Sequence, residues 1–311
     1  METSRNGRGS AVLIAGPTAS GKSALALRRA AAAGGVVINA DAMQVYDVLR
    51  VVTARPAPED MGNVPHRLYG SVPPSRRFST GDWLRAVKAL LDDPEVVGRE
   101  LIFVGGTGLY FEALVNGFAD VPDVPPEALA AAEAELVGLD REQRGKLIAA
   151  RDPLIAARLK APDPQRVARA LAVLNATGRS LARFQDDVQA GLLGGFEIER
   201  IVLNPDREVL RERIARRFGG MMESGAVAEV EALRALKLDP ALPAMKAIGV
   251  PEISDWLDGR IDRATAIERA TIATRQYAKR QRTWFRARMA DWRWVDPLTG
   301  RREGETTLPC D

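Results

Sequence analysis

The apolar run 11–15 (Ala-Val-Leu-Ile-Ala) stops at a glycine-bounded polar stretch, 16–23, and an Ala- and Leu-rich segment then continues to residue 33. A short continuous apolar run predicts a strand buried on both faces, so the order here is strand, loop, helix. The same grouping recurs. Residues 36–39 (Val-Val-Ile-Asn) predict a second buried strand and 101–104 (Leu-Ile-Phe-Val) a third, with a helix over 109–114 behind it. Ser79-Thr80-Gly81-Asp82 predicts a capped start for a helix over 83–91. Between them, 50–77 is rich in proline and poor in periodicity, which predicts loops with at most one short strand near 67–69 and gives His66 a packing or backbone-bonding role. Strands alternating with helices predict an α/β fold around a parallel sheet.

Further along, a proline-rich segment at 119–127 and a glycine-rich one at 190–196 bracket a stretch of helical composition. That pattern predicts an inserted all-helical domain over 121–195, leaving 1–120 and 196–311 as one core domain. Inside the insertion, 165–185 carries Arg166, Arg169, Arg179 and Arg183 and no acid, a pattern open to either a solvated face or a polyanion. A returning strand over 198–203 leads to a helix over 207–222 with Arg213, Arg217 and Met221 at four-residue steps. In the last helix, 262–289, Arg275, Lys279, Arg282 and Arg286 fall within roughly 60° of one another, with Ala273, Tyr277 and Trp284 opposite. The wheel therefore assigns the Trp284 side to packing and the cationic side to solvent or phosphates.

Chemistry concentrates in Gly16-Pro17-Thr18-Ala19-Ser20-Gly21-Lys22-Ser23, whose spacing between a strand and a helix is that of a P-loop. Backbone N–H groups at a helix N-terminus hold phosphates, Lys22 adds a point charge, and Ser23 offers a hydroxyl to a magnesium ion. Asp41 follows the second strand, where α/β sheets place ligands, and is the prime acid or base; a helix N-cap is its structural alternative. The third strand ends in Gly105-Gly106-Thr107 and lacks the magnesium-binding aspartate of nucleotide hydrolases, which argues against ATP hydrolysis.

Composition narrows the classes. The 311 residues suggest about two domains, and 46% hydrophobic residues supply ample core. No apolar run approaches the ~18 residues of a membrane span, and the polar first ten residues lack a signal-peptide h-region, so a cytoplasmic protein without membrane attachment is expected. The single cysteine, Cys310, and the single histidine, His66, exclude an internal disulfide, a thiolate cluster and a His-based metal site. With 44 Lys plus Arg against 41 acids, a net charge of +3, overall balance does not identify a polyanionic partner.

The motifs together resemble the bacterial tRNA dimethylallyltransferases, also called tRNA isopentenyltransferases. The likeness runs in order through 16–23, Asp41-Ala42-Met43-Gln44-Val45-Tyr46, Pro65-His66-Arg67-Leu68, Val104-Gly105-Gly106-Thr107-Gly108, Asp163-Pro164-Gln165-Arg166, Arg213 and Arg217, Lys246-Ala247-Ile248-Gly249, and 274–281. It implies a P-loop NTPase-like core with an inserted domain that clamps a tRNA anticodon stem-loop. The implied reaction moves a dimethylallyl group from dimethylallyl pyrophosphate to the exocyclic amine of the adenosine just 3′ of the anticodon. By the same resemblance, residues 16–23 and Arg217 hold pyrophosphate with Mg2+ on Ser23, Asp41 is the base, and Thr107 orients the amine. The implied tRNA contacts are Asp41, Ala42, Met43 and Gln44; Gln165, Arg166, Val167, Ala168 and Arg169; Lys246, Ala247, Ile248 and Gly249. Lys279, Arg280, Gln281, Arg282, Thr283, Trp284, Phe285 and Arg286 complete that set. Ala42 stands where the family usually has Ser, Val250 where it usually has Tyr, and Ala130 aligns with a customary arginine. A monomer is expected. A small-metabolite P-loop kinase, an adenylate isopentenyltransferase and a non-catalytic RNA-binding switch are the alternatives.

Overall fold

In the computed structural model, residues 9–298 and 300 are described; Cys310 lies outside them. The chain forms two compact units, Met1–Ala113 with Leu193–Asp311, and Leu114–Leu192. The first unit opens with β1 (Ser10–Ala15), α1 (Lys22–Ala33), β2 (Val36–Asn39), α2 (Pro58–Met61), β3 (His66–Arg67), α3 (Thr80–Leu91) and β4 (Leu101–Gly105). Helix α4 (Gly108–Asn116) carries the chain onward to β5 (Phe118–Ala119), α5 (Pro126–Glu135), α6 (Arg141–Arg151), α7 (Pro153–Ala156), α8 (Pro164–Thr177), α9 (Leu181–Asp186) and β6 (Val188–Gln189). The first unit resumes with β7 (Glu197–Leu203), α10 (Arg207–Glu223), α11 (Ala226–Ala235), a 3-10 turn (Ala244–Lys246), α12 (Val250–Leu257), α13 (Arg263–Arg288) and β8 (Arg293–Val295).

One six-stranded sheet, in the order β3-β2-β4-β1-β7-β8, is parallel throughout. β1 and β4 lie inside it, and Ala11 to Ala15 and Leu101 to Val104 are all buried, which is why their sequences show no polar alternation. Register places Ala15 beside both Gly105 and Val202, and Asn39 beside Val104. The ends of β1, β2 and β4 therefore share one rim. Gly105 is glycine because a Cβ there would lie 2.0 Å from the Ala40 carbonyl oxygen.

Ser79 and Asp82 cap α3 as the sequence predicts: the Ser79 hydroxyl accepts from the Asp82 N–H at 3.1 Å, and Asp82 accepts from the Ser79 N–H at 2.9 Å. His66 Nδ1 lies 2.9 Å from the Val64 carbonyl, the backbone bond expected of it. The 50–77 stretch does hold one short helix, α2, where only loops and a strand are predicted. Sequence patterning assigns no element to 224–261, yet Ala226, Val230, Leu233, Val250 and Ile253 of α11 and α12 are buried in one cluster with Tyr46, Phe218 and Ala270.

The second unit has its own core, with Ala132, Ile148, Ile155, Val167, Ala168 and Leu171 at its centre. It is helical except for the antiparallel pair β5–β6, in which Phe118 faces Gln189 and Ala119 faces Val188. That ribbon joins the two strands of chain entering and leaving the unit, and the Leu192 N–H donates to the Leu114 carbonyl at 3.0 Å. The unit's limits accordingly fall at 114 and 192, outside the proline and glycine runs at one end and inside them at the other.

Candidate active site

Two glycines shape the loop between β1 and α1 for different reasons. A Cβ on Gly16 would sit 2.7 Å from the Ser20 hydroxyl and 3.2 Å from Leu203 of β7, so the first position has no room. Gly21 has φ +89, a left-handed conformation, and precedes α1 without any side-chain cap. The first N–H groups of α1 are thus left for an anion, and no acid sits in its first turn to oppose one. Lys22 donates from Nζ to the Pro17 carbonyl at 3.3 Å. Burial lowers its ammonium to about 8, partly offset by the charge of Asp41 and reinforced by that of Arg217.

At the neighbouring strand end, Asn39 is buried and acts as a strut. Its Oδ1 accepts from the Asp41 N–H at 2.9 Å, while Nδ2 donates to the carbonyls of Asp41 and Leu68, each at 3.0 Å. The Trp83 indole N–H donates to the Asn39 carbonyl at 2.8 Å. Asp41 is not a helix cap: no helix follows, and its Oδ1 accepts the Met43 N–H at 3.0 Å within a turn. The Thr107 N–H donates to the Ala40 carbonyl at 3.1 Å, and its hydroxyl accepts from the Ala42 N–H at 2.9 Å. Asp41 and Thr107 are consequently fixed to each other through backbone, and the Thr107 hydroxyl proton is left to donate elsewhere.

Two later helices close on this rim. Arg217 of α10 donates from Nη1 to the Thr18 hydroxyl at 3.2 Å, and burial lowers its guanidinium pKa against the opposing pull of Asp41. Gln281 of α13 spans the two strand-end loops: its Oε1 accepts the Thr18 N–H at 3.0 Å, and its Nε2 donates to the Gly106 carbonyl at 2.9 Å. A cavity of about 300 Å³ lies between these elements. Its lining combines the polar Thr18, Asp41, Arg217 and Lys246 with the apolar Val52, Phe218, Met221 and Ile248, and includes Tyr277 and Arg280. Burial raises the Tyr277 phenol far above its ordinary value, so it stays protonated.

The structure brings together Thr18, Asp41, Ala42, Met43, Arg217, Lys246, Ala247, Ile248 and Arg280, residues that sequence reading drew from separate motifs. Other members of the expected RNA-contact set are used internally. Gln44 is buried and donates to the carbonyls of Thr53 at 3.0 Å and Ala54 at 3.1 Å; Gln281 is spent on its two loop bonds. Phe285 and Ala247 are buried, as are Val167 and Ala168 in the second unit. Gln165 and Arg166 are exposed on the first turn of α8, capped by Asp163 at 3.1 and 3.2 Å, and Arg169 is half-buried with its pKa lowered by burial. Gly249, at φ +104, donates its N–H to Glu252 at 2.8 Å.

On α13 the wheel assignment needs correcting. The buried residues are Ala266, Ala270, Thr271, Ala278, Gln281 and Phe285, not Trp284 or Tyr277. Trp284 and Tyr277 sit half-buried on one flank of this set, and Arg275, Lys279 and Arg286 are exposed on the other with Arg282 half-buried. Trp284 lies across the start of α4, where a Cβ on Gly108 would come within 2.2 Å of its ring. Thr283 is exposed. Sequence reading missed Asn39, whose signal was an amide closing an apolar run, and the bridging role of Gln281, which between Arg280 and Arg282 carried no such signal.

A magnesium ion would find hard oxygen donors here. Ser23 is exposed in the first turn of α1, and no group of three or more His, Cys, Asp or Glu able to cage a metal occurs among the described residues. Such a donor set fits a cation carried mostly by phosphate oxygens and water, with Ser23 as protein ligand. No helix among the described residues is long and apolar enough to cross a membrane.

Comparison with known proteins gives a consistent set of likenesses. Residues 44–288 match the family model described as IPP transferase. The chain is 52% identical over 299 residues to a tRNA dimethylallyltransferase of Allorhizobium ampelinum, covering 94% of this chain and 96% of that protein. It is 51% identical over 288 residues to the tRNA dimethylallyltransferase of Agrobacterium fabrum, with 92% and 97% covered. Among solved structures it is similar to the full-length tRNA isopentenylpyrophosphate transferase of Bacillus halodurans, with TM-score 0.64, 32% identity, and 92% and 89% of the two chains covered. It is also similar to a eukaryotic dimethylallyltransferase acting on tRNA, with TM-score 0.76, 26% identity, and 93% and 74% covered.

Proposed function

The chain belongs to the IPP transferase family and is a prenyl transferase, and we propose that it moves a dimethylallyl group from dimethylallyl pyrophosphate to the exocyclic amine of the adenosine 3′-adjacent to the anticodon in tRNA. The observation that carries this reading is that Asp41, Thr18 of the phosphate loop and Arg217, which bonds to Thr18, line one cavity together with Val52, Phe218, Met221 and Ile248.

An adenine amine is a weak nucleophile because its lone pair is delocalised into the ring. As its nitrogen bonds to the allylic carbon, the Asp41 carboxylate accepts the departing amine proton. The carbon–oxygen bond to pyrophosphate breaks in the same event, and the negative charge that develops there is met by Lys22, the uncapped N–H groups at the start of α1 and Arg217. Mg2+ held through Ser23 would add Lewis-acid stabilisation of that leaving group. The base must leave its stack to enter the cavity, at a cost of a few kcal/mol. Arg280 and Lys246 at the cavity, the exposed Arg275, Lys279 and Arg286, and Gln165, Arg166 and Arg169 of the insertion supply the compensating contacts to the anticodon stem-loop. The reading includes a monomer working in the cytoplasm.

Incubation with labelled dimethylallyl pyrophosphate and either unmodified tRNA or AMP tests the proposal. Label should enter tRNA alone; label in AMP would favour an adenylate isopentenyltransferase, and transfer of the ATP γ-phosphoryl group to a small acceptor a kinase.

A further inference from the structure

A second cavity, of about 590 Å³, is lined in part by Ser23, Arg50, Arg55, His66 and Tyr69. The turn 50–55 stands between the two: Val52 and Thr53 line the smaller one, and Arg50, Val51, Ala54 and Arg55 the larger. Arg217 and Met221 line both, so they and the turn make up the dividing wall.

This wall is fastened from two sides. Glu229 of α11 accepts the Val51 N–H at 2.7 Å through Oε1 and the Val52 N–H at 3.0 Å through Oε2. Gln44 donates to the carbonyls of Thr53 and Ala54 from the other side, at 3.0 and 3.1 Å. The Thr53 hydroxyl donates to the Leu49 carbonyl at 2.6 Å, and Ala54 holds φ +50, a left-handed conformation that a loose turn would not keep for alanine. Glu229 itself lines neither cavity.

We propose that Glu229 is a positioning residue that sets the length of prenyl donor the enzyme accepts, by pinning the turn 50–55 as the end wall of the donor's tail site. The inference rests on the prenyl-transfer reading. With the diphosphate held at Thr18 and Arg217, its tail lies against Val52, Phe218, Met221 and Ile248 of the same cavity lining. A five-carbon tail ends against Val52. A ten-carbon tail would have to pass the turn into the larger cavity, which requires the bonds from Glu229 to open. Glutamine at 229 keeps the shape but has a single acceptor oxygen for two N–H groups, so the wall loosens without losing volume elsewhere.

The test measures kcat/KM of the full chain with tRNA for dimethylallyl and for geranyl pyrophosphate. Wild type should favour the shorter donor by on the order of 10²-fold, since size exclusion adds to the discrimination a hydrophobic pocket achieves per methylene. Glu229→Gln should reduce that preference by about tenfold or more, chiefly through the KM of geranyl pyrophosphate, with the KM for tRNA unchanged. Val52→Ala, which shortens the wall and leaves its fastening intact, should move the ratio in the same direction and serves if Glu229→Gln does not fold. Equal losses with both donors, or a wild type indifferent to tail length, would overturn the inference and leave the prenyl-transfer reading standing. A wild type inert with both donors would instead remove that reading and this inference with it.

Discussion

The phosphate loop 16–23 and the last helix α13 meet at Gln281, yet they are specified in opposite ways. The loop's geometry follows from neighbours along the chain: a strand buried in the sheet, two glycines with distinct steric duties, and a helix whose N-terminus carries no side-chain cap. Helix α13 is ambiguous in isolation because its small residues, aromatics and cations are spread around the wheel. Packing selects Ala270, Ala278, Gln281 and Phe285 as the inward stripe, with aromatic and cationic flanks on either side. A backbone motif is therefore robust to its surroundings, whereas the face a mixed helix buries depends on what lies beneath it.

The largest effects expected from testing this contrast lie at the strand-end rim. Asp41→Asn should lower single-turnover prenyl transfer by about 10²-fold or more while pyrophosphate still binds, as expected for losing a positioned base. Calorimetric titration and rapid-quench assays of the same variant separate the two quantities. An unchanged single-turnover rate would take Asp41 out of the chemistry.

On α13, Phe285→Ala should destabilise by about 3–5 kcal/mol, the usual range for a truncated core aromatic. Trp284→Ala should cost less, about 1–2 kcal/mol, because the ring is only half-buried. Gln281→Leu should cost about 2–4 kcal/mol by leaving the Thr18 N–H and Gly106 carbonyl without their partner. Urea denaturation ranks the three. Should Trp284→Ala prove more harmful than Phe285→Ala, the inward stripe has been assigned wrongly.

The cationic flank predicts a smaller and more specific change. Replacing Lys279 and Arg286 together by alanine should make the slope of log tRNA affinity against log salt shallower by roughly 1–2 units, with donor affinity unaltered. Filter binding across a salt series measures it; a slope equal to wild type would show that RNA phosphates do not reach this flank.

The smallest effect is a pH trend at Lys22, whose pKa is lowered from 10.5 in the unfolded chain to about 8 in the folded one. Between those values the unfolded chain binds more protons, so Lys22 makes stability rise as pH increases from about 8 to about 10.5. Pyrophosphate affinity should move the other way, weakening above about pH 8 as the ammonium is lost. Comparing melting and pyrophosphate titrations of wild type and Lys22→Met isolates this group, and parallel stability profiles for the two proteins would count against the lowered value.

By itself the sequence determined the parallel sheet, the phosphate loop, the position of Asp41 at a strand end and the presence of an insertion. Each rests on short-range facts: continuous apolar runs mark strands buried on both faces, and glycine spacing dictates backbone curvature. Only the tertiary structure decided that Gln44 and Gln281 are internal fasteners, that Val167, Ala168 and Phe285 are core, and that α11 and α12 share one core with Tyr46 and Phe218. Those assignments depend on partners far away in the chain: Thr18 bonds to Gln281 and Val51 to Glu229. An amide or carboxylate reads the same on an open surface as against a backbone group that needs it, and only the folded chain supplies that group.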